Sequence, residues 1–300
     1  MVQKRFSRVI STSDFVNLFT KMQQKYGKKL HRSDRLKPAS CGMRSALFPA
    51  LIASLALGAV ARAEIKAPQP DFEEYLVAPV HVHLLVTPGE LNLSTTLKAG
   101  DIERIFGKVN RIWGHAAMHI PVAKLITEPA ANPVLYRQNH KSRNLKWLLG
   151  IRPEKTIAKE CFHLYYIKRF AANGVYIGGD GMFVKDLARL RGVDNGMDEP
   201  IPRVTSHEIG HAFTLRHRQD ITNLMASGTS GWTLNAKEIH QARTAAGKLK
   251  WIRTAPAILK EADALHEKGD KKAAAALYQL IAGIPLNCPE TSRAKRRATK

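Results

Sequence analysis

The segment His207-Glu208-Ile209-Gly210-His211-Ala212-Phe213-Thr214-Leu215-Arg216-His217 holds three imidazoles and one carboxylate at a spacing suited to a divalent metal with a base beside it. On a helix, His207 and His211 fall one turn apart on the same face, and Glu208 projects next to them. His217 cannot continue that helix, because ten residues at about 1.5 Å rise would put it ~15 Å from His207, while zinc–nitrogen bonds are about 2 Å. The chain must turn after His211 for a third imidazole to join the first two. Neutral imidazoles are good zinc ligands, and a carboxylate beside an open coordination position can take a proton from water.

This pattern resembles the signature of the metzincin metallopeptidases, H-E-x-x-H-x-x-G-x-x-H. Thr214 stands at the glycine of that signature and Arg218 follows the third histidine. The resemblance is therefore to the superfamily, matrixin- or reprolysin-like, with the subfamily left open. Asn223-Leu224-Met225-Ala226, shortly after His217, resembles the family's methionine turn. The resemblance implies Zn2+ held by His207, His211 and His217, with Met225 as an uncharged floor beneath the imidazoles. It implies that Glu208 is the catalytic base, taking a proton from water and passing it to the departing amine during hydrolysis of a protein or peptide. Glu238 is an alternative third ligand in a different zinc-protease plan, and His217 is preferred to it. The competing function is an inactive, zinc-containing exported binding protein that uses its C-terminal helices. Glu208, which a structural zinc site does not need, argues for the enzyme.

Thr214 bears on the turn. Glycine enters the left-handed backbone region freely, whereas a β-branched residue does so at roughly 1–2 kcal/mol, so the turn is either built differently or strained.

Several elements must position these groups. Val80 to Val86 reads as a strand, Asp101 to Ala117 as an amphipathic helix through Ile102, Ile105, Phe106, Val109, Ile112 and Trp113, and Ile120 to Ile126 as a second strand. Residues 131–159 read as helix and loop, and Phe162 to Ile167 as a central strand. Gly174 to Val184 is strand-like but interrupted at Gly178 to Gly181, where Asp180 alone offers too few oxygens for calcium and a plain glycine turn is preferred. The family resemblance places a cleft-lining edge strand just before the active-site helix, and Val175, Tyr176 and Ile177 are its candidates. Pro200 and Pro202 mark the approach to that helix, and Leu234 to about Lys250 reads as a further one. His81 and His83 share one face of the first strand and read as packed histidines rather than ligands.

From Ala255 the chain becomes alanine-rich and helical, divided at Gly269-Asp270. Ala262, Ala274, Tyr278 and Pro285 resemble the packing positions of a single tetratricopeptide repeat, which cannot bury its own face. It must pack on the preceding domain or belong to an array, with protein contact through the hairpin as a further possibility. The expected fold class is α/β (α+β): a metzincin-like domain with a twisted mixed sheet, active-site helix and methionine turn, plus a C-terminal α-helical hairpin. The expected domains are 1–63, 64–252 and 253–300.

The run from Ala46 to Val60 is apolar, preceded by Arg44 and followed by Ala61-Arg62-Ala63. It is too short to span a bilayer and reads as a signal peptide cleaved near Ala63, leaving an exported chain without a stable membrane span. Translation starting at Met43 is one account of the basic stretch before it, and Asp14 to Gln24 could form a short helix. The formal charge of +22 on 47 basic and 25 acidic residues falls to about +12 once the 12 basic and 2 acidic residues of 1–63 are set aside. Such a balance suits a solvated surface or anionic partners, but no aromatic-interleaved basic patch points to nucleic acid. Cys161 and Cys288 remain in an exported chain, as a disulfide or as separate thiols. No cysteine between Ala63 and the first strand offers a matrixin-type inhibitory switch.

Overall fold

The computed structural model describes residues 72, 74–284, 294–295 and 297. The leader with its apolar run, the leader helix, Pro285 and Cys288 lie outside the described residues. Two mixed sheets and a set of helices make a mixed α/β protein. The larger sheet has five strands: β2 (Val80–Leu85), β4 (Val122–Glu128), β5 (Phe162–Ile167), β6 (Gly174–Tyr176) and β7 (Met182–Lys185), in the order β4-β2-β5-β7-β6. β4, β2, β5 and β7 run parallel, and only the edge strand β6 is antiparallel. The smaller sheet joins β1 (Leu76–Val77) to β3 (Met118–His119) and to β8 (Arg253–Thr254).

Both faces of the central strands β2 and β5 are covered, as parallel strands require. On one face Val82, Leu84, Leu164 and Tyr166 pack against α1 (Ala99–Gly114) and α3 (Pro200–Ala212). On the other, Tyr165, Ile167 and Phe183 meet Tyr136 of α2 (Pro133–Asn139) and the 3-10 turn Leu145–Ile151. The apolar stripe of α1 is buried at each of its six expected positions.

Some boundaries differ from the sequence reading for local reasons. The second strand begins at Val122 and runs to Glu128, because Pro121 has no N–H to give and separates it from β3. α1 ends at Gly114, ahead of Ala117 at φ 47°. α4 (Ala236–Gly247) starts two residues late, since Asn235 caps it by accepting from the Glu238 N–H at 3.0 Å. The strand-like run from Gly174 to Val184 is a hairpin, β6 and β7 joined through residues 178–180.

The C-terminal helices α5 (Ala255–Glu267) and α6 (Lys271–Ala282) pack Ala262, Ala274 and Tyr278 against Tyr75, Val77 and Ala117. β8 pairs with β1 just before α5, so the hairpin is tied through both a strand and a core to the segment that opens the described chain. Its small and aromatic positions are thus filled within this chain.

Buried histidines make the fold acid-sensitive. Burial holds His119 down at about 4 against its ordinary 6.5, and lowers His115 in the same sense. The folded state therefore keeps these rings neutral while the unfolded chain protonates them. Their contribution to stability is complete above pH 6.5 and is lost as the pH falls toward 4, up to about 3 kcal/mol for His119. The share of the melting temperature that His119 carries should be lost between pH 6.5 and 4. His119→Phe should flatten that decline, and an unchanged slope would contradict the assignment.

Candidate metal centre and cleft

Helix α3 carries the first two histidines. It starts with Pro200 at its first turn and is buried from Ile201 to Gly210, wedged between the sheet and the chain that follows it. It ends in a Schellman motif: the Thr214 N–H bonds the His211 carbonyl at 2.9 Å and the Leu215 N–H bonds the Gly210 carbonyl at 2.9 Å. Thr214 holds the left-handed position at φ 66°. The turn is thus the one a glycine would make, carried by a strained threonine. Gln241 on α4 supports it by donating to the Thr214 carbonyl at 2.7 Å.

This turn brings His217 back to the helix. The Nε2 atoms of His207, His211 and His217 lie 3.1, 3.1 and 3.2 Å apart. Backbone carbonyls fix two of the rings: His207 Nδ1 meets the Leu224 oxygen and His211 Nδ1 the Leu215 oxygen, each at 2.8 Å. Because those Nδ1 atoms donate, the neutral rings turn bare Nε2 lone pairs toward one another. Burial, above all, lowers His207 to about 3, and it also lowers His211, so both stay neutral. Converging lone pairs repel unless a cation lies among them. Tetrahedral ligands about 2.0–2.1 Å from zinc stand about 3.3 Å from each other, which the triad matches to within a few tenths of an ångström.

Met225 is fully buried beneath the helix. A Cβ on Gly210 would lie 2.6 Å from its sulfur, so this glycine is what lets the thioether approach. The turn around it is held by Asn223, whose Oδ1 accepts from the Met225 N–H at 2.7 Å, and by the Arg218 N–H bonding the Met225 carbonyl at 3.0 Å. It also supplies Leu224, whose carbonyl orients His207.

Glu208 is buried at the cleft wall, its carboxylate accepting from the Tyr176 N–H. Burial raises it to about 8, against the opposing pull of the Tyr176 N–H and of Arg203. A carboxyl titrating near neutrality suits general base work. Gly174 makes room for it, since a Cβ there would lie 2.6 Å from Glu208 Oε1.

The cleft of about 600 Å³ is lined by the three histidines, Glu208, Gly174, Val175 and Tyr176. Asn173 and Ile177 bond toward β7, so Gly174 and Tyr176 turn their backbone groups the other way, to the cleft. Ile177 lies just past β6, packed at the edge of the far-side core, and is not among the lining residues.

Glu238 takes no part in the triad. It is buried, and its oxygens accept from Arg218 Nε at 2.7 Å, Asn223 Nδ2 at 2.7 Å and the Asn235 N–H at 3.0 Å. It ties the residue after His217 to the turn that carries Met225 and to α4, which excludes it as the third ligand. The Asn235-x-x-Glu238 capping box was the sequence signal for this role.

Arg203 was missed by the sequence reading. It is 2% exposed, one helical turn before His207, with Nη1 3.3 Å from His207 Nδ1. Its Nε donates to the Gly231 carbonyl at 2.9 Å, and Nη2 to the carbonyls of Ala226 and, at 3.5 Å, Asn223. One guanidinium thus gathers both arms of the loop that carries Met225.

Thr214→Gly removes about 1–2 kcal/mol of left-handed strain and adds about 0.5–1 kcal/mol of unfolded-state entropy. Thermal melting should show this variant as stable as the parent or more so, by up to about 1 kcal/mol, with metal retention intact. A clear loss would mean that the contacts of Thr214 outweigh its strain.

No protein-family model matches the chain, and no curated protein matches it.

Proposed function

We propose that the chain is a zinc-dependent endopeptidase of the metzincin type, hydrolysing extended protein or peptide segments laid along β6. The observation that carries this is the convergence of three Nε2 atoms within 3.2 Å, two of them bare, beside a buried carboxylate in one open cleft. His207, His211 and His217 would hold the metal. Zinc, when bound there, supplies Lewis acidity toward water and toward a scissile carbonyl.

The remaining work belongs to the chain. Glu208, anchored by the Tyr176 N–H, receives a proton and later delivers it to the leaving amine. The outward carbonyls of Gly174 and Tyr176 can accept N–H groups from an extended substrate and fix its direction. Met225 and Leu215 close the base of the site with apolar surface. The antiparallel edge strand ahead of the helix, the methionine turn and the glycine-like turn at Thr214 all support the metzincin reading over a generic helical zinc site. An exported location follows from the apolar run at Ala46 to Val60 and remains part of the proposal.

The test is zinc content together with cleavage of an unfolded protein. The parent should carry zinc at the triad and cleave, a strong chelator should abolish cleavage, and His217→Ala should lose both the triad's zinc and cleavage while remaining folded. Cleavage that survives chelation or His217→Ala would overturn the reading.

A further inference from the structure

A second group of metal-ligating side chains lies on the opposite face of the five-stranded sheet. Strand alternation puts Val82, Leu84, Leu164 and Tyr166 toward α3, so His81, His83, His163 and Tyr165 face away from it. In the parallel register of β2 and β5, His81 stands beside His163 and His83 beside Tyr165. Cys161, at the entrance to β5, completes a set in which one ligand atom each from His81, Cys161 and His163 lies within 4.8 Å of the others. The cysteine and His81 are half-buried, which leaves a path from solvent.

One pair of donors already stands at metal spacing. His163 Nε2 is 3.7 Å from Cys161 Sγ, against roughly 3.6 Å for a nitrogen and a thiolate sharing a tetrahedral zinc. Behind His163 runs a relay: His163 Nδ1 meets His83 Nε2 at 2.9 Å, and His83 Nδ1 meets Glu128 Oε1 at 2.6 Å. With the carboxylate ionised, each ring donates toward it, and His163 is left with a bare Nε2 on the cysteine side. This is the outer-shell carboxylate that orients a ligating imidazole, with one extra histidine interposed. The Ala158 carbonyl lies 2.9 Å from that same Nε2, a repulsive contact for a lone pair unless a proton or a cation intervenes. The buried Nδ1 of His81 has no hydrogen-bond partner among the described residues. A buried polar atom without a partner is costly, and a ligand to it removes that cost.

We propose that His81, Cys161 and His163 form a second zinc site, distinct from the triad, that staples the segment entering β5 to strand β2. Thiolate and imidazole donors select zinc over magnesium or calcium. Binding exchanges the Cys161 thiol proton for the metal and releases that proton to solvent. The Ala158 backbone, which also sends its N–H to His163 Nε2 at 3.0 Å, must give way when the ion enters.

Metal loading of the full chain tests this without reference to peptidase activity. Titrated with zinc, the parent should take up two equivalents, His217→Ala one, and Cys161→Ser one. Loaded with cobalt instead, the parent and His217→Ala should show a near-ultraviolet thiolate-to-cobalt charge-transfer band, and Cys161→Ser should lack it. Since Cys41 and Cys288 are still present in Cys161→Ser, a band that persists there would assign the thiolate elsewhere and overturn the proposal. One equivalent in the parent with no thiolate band would overturn it equally, and that reading needs no variant to fold. Failure of the triad would remove the other equivalent and leave the band, so the two sites are judged separately.

Discussion

Glu208→Gln should remove turnover and leave the metal in place. The substitution keeps the shape and size of the side chain, and its amide oxygen can still accept the Tyr176 N–H that anchors the carboxylate. The three Nε2 donors and the carbonyls that orient them are untouched. What is lost is the capacity to take a proton, which for a positioned general base contributes typically 10²–10⁴-fold. Cleavage of an unfolded protein should fall by at least about a hundredfold, with zinc content equal to that of the parent. The direction of the Glu208 shift gives a second readout. Burial raises its acid form, while a dication at the triad would work against burial. Cleavage by the parent should therefore fall on acidification as this carboxylate protonates, and any residual rate of the variant should not follow that limb. A variant that cleaves within a few-fold of the parent would remove Glu208 from the mechanism.

Arg203→Met should destabilise the protein more than any surface change. The guanidinium is held at about 10, below its usual value, by burial, and is partly sustained by the charge of Glu208. It remains a cation, and it satisfies the carbonyls of Ala226 and Gly231 from inside the fold. Methionine fills comparable volume but leaves those oxygens without donors and Glu208 without its neighbouring charge. Breaking such an arrangement from one side costs about 3–5 kcal/mol, or roughly 6–20 °C in melting temperature for a domain of this size. Zinc affinity should fall too, since Leu224, which fixes His207, belongs to the loop that Arg203 holds. Arg203→Lys should recover only part of the loss, because one ammonium cannot span three carbonyls. A melting shift below about 2 °C for Arg203→Met would show that the loop is held by other contacts.

The sequence made some of this legible and hid the rest for physical reasons. The spacing of His207, His211 and His217 required a turn, and the structure supplies it at Thr214. α1 was readable because its six apolar positions repeat at the helical period and all of them are buried. Arg203 was not, because a basic residue on a helix is ordinarily a solvated one. Only the fold shows that α3 is buried from Ile201 to Gly210 and that three carbonyls converge on that side chain. Glu238 looked like a spare ligand because its partners, Arg218 and Asn223, are distant in sequence until the turn around Met225 folds. The pairing of His81 with His163 depends on the register of two parallel strands some eighty residues apart, which no local pattern encodes.

The two main-chain oxygens that orient His207 and His211 have a consequence for how this centre can vary. Exchange of Leu215 or Leu224 for another buried apolar side chain leaves the oxygen where it was, so the imidazole tautomers tolerate apolar substitution at both positions. Chain length is another matter. Inserting or deleting one residue between His211 and Leu224 would shift an oxygen out of register with its imidazole. Among descendants of this sequence, loop length there should be preserved as strictly as His217 itself.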